Sequence, residues 1–202
     1  MSVWQELRRA DPVLGRLLDE HGEPSRERTP RPEHYSALVR SIVGQQLSVT
    51  AARAIHARLL EYFGGREPVP NEVLAADPDA MRAAAGLSRA KVAFLRSLAE
   101  HVVDGSLELG RLDELSDDEV VSELTAVKGI GEWSAHMFLM FQLQRPDVLA
   151  VGDLGIRRAA ERAYELPDLP SADELRALAE PWRPHRTAAC VLLWHSLDNA
   201  PE

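Results

Sequence analysis

Residues 124–141 read LTAVKGIGEWSAHMFLMF, and this stretch decides the fold. A run with helical apolar spacing leads into Val127-Lys128 and turns through Gly129-Ile130-Gly131. A second apolar-faced run starts at Glu132. The pattern is helix, tight turn, helix. Two glycines around one apolar residue let the backbone pass close to another molecule. Because the second helix begins at once, its first N–H groups and the positive end of its dipole point out of the turn, where they attract an anion such as a phosphate. Lys128 adds a charge there, and Ile130 anchors the turn in the core. A bare Gly-x-Gly also serves as a plain joint between two helices, and these three residues do not by themselves separate the two uses.

The chain on either side reads the same way, as short helices with polar or Pro/Gly joints. Asp11-Pro12 and Asp77-Pro78 each pair an N-cap with proline at the first helical position. Ser116 with Glu119 and Ser171 with Glu174 have capping-box spacing, and Ser48 caps the run VTAARAIHARLLEYF, which Gly64-Gly65 ends. Only brief pieces such as PDVLAV alternate at period two. The expectation is all-α, with ten or so helices. The stretch EPSRERTPRP, residues 23–32, reads as a linker or exposed loop, and LQRPDVLAVGD, residues 143–153, as a second joint. These joints predict a central helical subdomain over residues 34–145 that carries the hairpin. Residues 1–33 and 146–202 would form a second helical subdomain, with a cleft between the two for a ligand.

Composition sets limits on function. The 202 residues are 45% hydrophobic and 27% charged, ordinary for a packed soluble protein. No apolar run approaches the ~20 residues that cross a bilayer, and MSVWQELRRADP has no apolar core or cleavage site of a secretion signal. A single cysteine, Cys190, excludes an intramolecular disulfide framework and a four-cysteine iron–sulfur site, and a cytoplasmic location follows. His136, His185 and His195 lack metal-ligand spacing with Cys190. GIGEWS lacks the other parts of a nucleotide phosphate loop, so no nucleotide cofactor is expected. The net charge of −9 counts against a polyanionic partner, since phosphate binding works through Lys and Arg. An enzyme that must leave its product can nevertheless bind through one local patch and backbone amides.

The hairpin, with an aspartate about twenty residues beyond it (Asp153 in VLAVGDLGIRRA), resembles the helix-hairpin-helix DNA glycosylase superfamily. SIVGQQLSVTAARAIHARL resembles that family's early helix pair, and AAGLSRAKVAFLRSLA its middle helices. WRPHRTAACVLLWHSL resembles the C-terminal helix of the 3-methyladenine DNA glycosylase II branch. The resemblance covers residues 35–197 and implies a compact helix-hairpin-helix glycosylase fold. It implies a monomer acting on damaged double-stranded DNA, in the cytoplasm and with the nucleoid if bacterial. The implied reaction flips out an alkylated base of the 3-methyladenine or 7-methylguanine type and hydrolyses its bond to deoxyribose.

The resemblance also assigns residues. Asp153, whose ordinary role at this position is an N-cap, aligns with the catalytic carboxylate. Such a carboxylate stabilises positive charge growing on the sugar and orients or deprotonates the attacking water. Strand-cutting members carry a lysine two residues after the second hairpin glycine; Trp133 stands there, so hydrolysis without lyase activity is implied. Trp133, Met137 and Trp194 are candidates for the base pocket, where an indole face attracts a cationic methylated base. Both Trp residues are also what a buried core contains, and Trp182 is read as structural. Lys128, Gly129, Ile130, Gly131 and Arg157 are DNA-binding candidates, with Gln45 and Gln46 in the position of a wedge that fills the gap left by the flipped base. Family members hold Na+ or K+ on hairpin carbonyls, here those of Thr125, Val127 and Ile130, with no other cofactor required. The alternatives are a glycosylase for another damaged or mismatched base, a hairpin module that grips DNA without chemistry, and a protein-interaction domain.

Overall fold

Side-chain caps mark where the helices begin. In the computed structural model, which describes residues 1–24 and 32–197, Ser116 Oγ accepts from the Glu119 N–H while the Glu119 carboxylate reaches back to the Ser116 N–H at 2.8 Å. Ser171 and Glu174 repeat this reciprocal box, and Ser2 with Gln5 forms a third. Asp11 and Asp77 cap helices that open on proline, and Ser48 and Ser88 cap two more. Twelve α-helices result among the described residues, with no strand. PDVLAV, buried over residues 148–151, is an irregular connection. Of the basic stretch read as a linker, residues 25–31 lie outside the described residues.

The described residues divide into two compact units, one within Met1–Thr29 and Leu139–Glu202, the other within Pro30–Phe138. In the first, α1 (Val3–Ala10) packs on α2 (Pro12–His21), and α12 (Arg186–Ser196) packs on both α2 and α10 (Leu154–Ala163). Leu7, Leu14, Ile156, Ala160, Leu192 and Trp182 fill its core. Trp182, at the end of a single 3-10 turn after α11 (Ala172–Leu178), is fully buried.

In the second unit α3 (His34–Gly44) packs on α4 (Val49–Tyr62), α4 on α6 (Pro78–Ala85), and α5 (Pro70–Ala75) on α7 (Arg89–Val103). Leu38, Ile42, Leu59, Met81, Leu95 and Leu98 are its buried centre. α8 (Asp117–Ala126) and α9 (Glu132–Met137) close the unit as the hairpin pair. The helix of α9 continues as one π turn, Phe138–Gln142, and the chain leaves the second unit within that turn. The sequence carries the central subdomain on to Arg145. In the structure Phe141 stacks on Trp194, and the Arg145 carbonyl accepts from the Thr187 hydroxyl at 2.6 Å, so residues 139–145 belong with α12.

Candidate active site

The hairpin turn is fixed by sterics and by hydrogen bonds. α8 stops at Ala126, and Val127 turns extended. The Ile130 N–H then donates to the Val127 carbonyl at 3.1 Å, and the Ile130 side chain is buried. Gly129 has φ +91°, a left-handed conformation, and a Cβ there would stand 2.2 Å from Cγ of Phe94. Glycine is therefore required both for the backbone angle and for the approach of α7. Lys128 is exposed and its backbone N–H donates to Ser97 Oγ at 3.2 Å. Gly131 is exposed and opens α9 without a side-chain cap.

The hairpin gathers the glutamine turn to itself. Gln45 Nε2 donates to the Gly129 carbonyl at 2.8 Å, so its amide braces the hairpin, while the neighbouring Gln46 is exposed with φ +58°. A non-glycine residue in that region is sparsely populated and is worth examining for function. Lys91 Nζ caps the end of α3 through the Val43 carbonyl at 2.7 Å, and burial lowers its pKa. On α9, Trp133 is 47% exposed and Met137, one turn later, is half-buried. His136 pairs with Glu132 at 3.9 Å along the same helix.

The carbonyls of Thr125, Val127 and Ile130 are a neutral oxygen donor set at the C-terminal end of α8, where the helix dipole gathers negative charge. Donors of that chemistry suit a monovalent cation. The Val127 carbonyl retains a second lone pair beside its bond from Ile130. No cluster of three or more His, Cys, Asp or Glu side chains that could hold a metal occurs among the described residues.

In the first unit Asp153 is the N-cap of α10, half-buried, with its backbone N–H on the Ala150 carbonyl at 2.9 Å. Its Oδ1 accepts the Ile156 N–H at 2.8 Å and the Trp194 indole N–H at 2.9 Å. Trp194 is only 4% exposed, and Phe141, 45% exposed, stacks on it with ring centroids 6.1 Å apart. The sequence suggests Trp194 for the base pocket; in the structure its ring is buried and its N–H donates to Asp153. Arg157 is similarly turned inward, with Nε on the Pro170 carbonyl at 2.7 Å, whereas Arg158 is exposed. Cys190 is buried, and burial pushes its thiol up to about 12, which removes it as a nucleophile.

Two residues of this site escape sequence reading. Phe141 belongs to the apolar run FLMF, in which every member reads as core, and only the π turn brings it to the surface. Gly155 reads as a weak point in a helix, yet a Cβ there would stand 3.0 Å from Asp153 Oδ1 and 3.2 Å from Trp194 Nε1.

An all-α fold with a Gly-x-Gly hairpin and a capping aspartate on the following long helix defines the helix-hairpin-helix class. Residues 39–184 match the family model of the HhH-GPD superfamily base excision DNA repair proteins, and the chain belongs to that family. It is 37% identical over 164 residues to DNA-3-methyladenine glycosylase 1 of Schizosaccharomyces pombe, covering 80% of this chain and 72% of that protein. The 3-methyladenine DNA glycosylase of that yeast, in complex with abasic DNA, superposes with TM-score 0.85 at 34% identity, covering 96% of this chain and 95% of that one. A DNA-3-methyladenine glycosidase from Bacillus halodurans gives TM-score 0.84 at 36% identity, covering 96% and 88%. No helix among the described residues is long and apolar enough to cross a membrane.

Proposed function

We propose that this protein is a DNA glycosylase of base excision repair that hydrolyses the N-glycosidic bond of alkylated purines and leaves an abasic site in an unbroken strand. The observation that carries the reading is Asp153 at the N-cap of α10, half-exposed, held by two donors on one oxygen. The similarity along nearly the whole chain to proteins named for 3-methyladenine supports the substrate class.

A purine methylated at N3 or N7 carries a positive charge and leaves readily, taking the electrons of the bond to C1′. Positive charge then grows on the sugar, which Asp153 stabilises as an anion. A water oxygen bonds to C1′, and its proton passes to Asp153. The products are the neutral free base and an abasic deoxyribose. The exposed indole of Trp133 offers a face for the cationic base, worth up to about 2 kcal/mol when water is excluded, and Met137 lies beside it on α9. With Trp133 in place of an amine, no Schiff base forms at that position and the strand is not cut.

The DNA backbone would be gripped at Lys128–Gly131, with Gln46 projecting from the braced turn as the wedge. Na+ or K+ on the carbonyls of Thr125, Val127 and Ile130 would supply a fixed positive charge beside that grip. The protein would act as a monomer on damaged duplex DNA in the cytoplasm, at the nucleoid in a bacterium.

The test is base release from methylated duplex DNA by wild type and Asp153→Asn, followed by electrophoresis before and after alkali. Free methylpurine from wild type alone, with strands intact until alkali is added, is the expected result. Breaks before alkali would overturn the hydrolytic mechanism. Release of a different base class alone would overturn the substrate, and binding without release would leave a DNA-gripping module.

A further inference from the structure

We infer that Trp194 is a positioning residue for the Asp153 carboxylate, and that Gly155 is glycine because the contact between them occupies the space of a side chain. The inference rests on the catalytic reading of Asp153.

The indole N–H of Trp194 reaches Asp153 Oδ1 at 2.9 Å, the same oxygen that takes the Ile156 N–H at 2.8 Å. One donor would leave the carboxylate free to pivot about that bond. Two donors from different directions, one on the backbone of α10 and one on the side of α12, set its rotation. The indole is itself held, 4% exposed under the stacked ring of Phe141. Trp194 thus has the rigidity that a positioning group needs.

Gly155 is the independent observation. It lies in the first turn of α10, where glycine is a poor helix former, and its backbone angle is one that any residue adopts. A Cβ at this position would meet Asp153 Oδ1 at 3.0 Å and Trp194 Cδ1 and Nε1 at 3.2 Å. These are the atoms of the hydrogen bond and its ring. Alanine would push the indole and the carboxylate apart without touching the exposed residues that would meet DNA.

Trp194→Phe removes the N–H and keeps an aromatic ring; Gly155→Ala keeps the indole and displaces it. For each, single-turnover release of methylpurine is compared with affinity for duplex DNA carrying a stable abasic-site mimic. Misplacing a reacting group by about 1 Å can cost on the order of 100-fold. We expect the rate to fall roughly 10- to 100-fold in Trp194→Phe. In Gly155→Ala it should fall by a smaller factor, about threefold or more, since the added Cβ displaces the pair only slightly. Affinity should change less than about twofold in each. A wild-type rate in Trp194→Phe overturns the inference, as does an affinity loss that matches the rate loss, which would make the ring a binding surface.

Asp153→Asn separates the two levels. If it retains full turnover, the catalytic reading fails. The contact is then judged by hydrogen exchange of the Trp194 indole proton, followed by NMR in wild type, Gly155→Ala and Asp153→Ala. Exchange about tenfold or more faster in both variants supports the contact. Equal exchange in all three overturns it.

Discussion

At the N-terminal end of α10, Asp153 takes a helix N–H and the indole N–H of Trp194. At the C-terminal end Tyr164 donates its hydroxyl to Asp11 at 2.5 Å, and Asp11 also takes the indole N–H of Trp182 at 2.9 Å. Asp11 is an N-cap too, for α2, with the Val13 N–H at 2.8 Å. The parts are alike, and their surroundings are not. Asp11 is 7% exposed and both of its oxygens are engaged, Oδ1 by backbone and Oδ2 by Tyr164 and Trp182. Asp153 is half-exposed, and the helix and indole donors both fall on Oδ1. A buried carboxylate bonded through both oxygens holds elements together; a half-exposed one oriented through Oδ1 keeps its direction where reactants can approach.

Replacing each carboxylate should therefore fail differently. Asp153→Asn is expected to slow base release by roughly a thousandfold or more, equivalent to about 4 kcal/mol of barrier. Asparagine caps helices as well as aspartate, so its urea unfolding should shift by only about 0.5 kcal/mol. Asp11→Ala should do the reverse, losing roughly 3 kcal/mol in urea titration because the Tyr164 hydroxyl and Trp182 N–H remain buried without an acceptor. Its folded fraction should release base at the wild-type rate. A large stability loss in the first variant, or a rate loss in the folded second, breaks the contrast.

The two tryptophans refine it. Trp182 is fully buried, so Trp182→Phe should cost about 2 kcal/mol through a cavity and a lost bond. Trp194→Phe should cost less, about 1 kcal/mol, since its acceptor Asp153 is half-exposed and keeps the Ile156 N–H, whereas Asp11 is buried; thermal unfolding of the pair reads the difference.

The smallest effect depends on pH. Burial first, then the hydrogen bond to Asp11 and its charge, raises the pKa of Tyr164 above the usual phenol value of 10.0. Its folded pKa exceeds its unfolded one, so the stability it contributes is whole below pH 10 and erodes as pH rises. Tyr164→Phe should be about 1 kcal/mol less stable than wild type at pH 7, and the gap should narrow above about pH 10 in alkaline unfolding.

The features legible in the sequence were local. The boxes at Ser116 and Ser171, the Asp-Pro starts at Asp11 and Asp77, the glycine ending after α4 and the all-α class each depend on residues within one or two turns. The hairpin is legible for the same reason, since Gly129 and Gly131 bracket Ile130 in consecutive residues. The bonds that shape the candidate site join distant positions: Trp194 with Asp153, Gln45 with Gly129, Arg157 with Pro170. Periodicity marks Trp194 as buried or useful, but not where its N–H points. It marks Gln45 and Gln46 as a pair, although one braces and the other is presented. The third capping box, at Ser2, pairs the serine with a neutral glutamine rather than the glutamate of the other two boxes.

The π turn Phe138–Gln142 sets the phase of the chain that enters the first unit. A π turn holds about one residue more than an α turn, so it shifts the phase of every side chain that follows it. Deleting one residue there would restore regular helix and rotate the chain beyond it by about 100°. Phe141 would then leave the ring of Trp194, and the aromatic cover over the Asp153 contact would be lost in one mutational step.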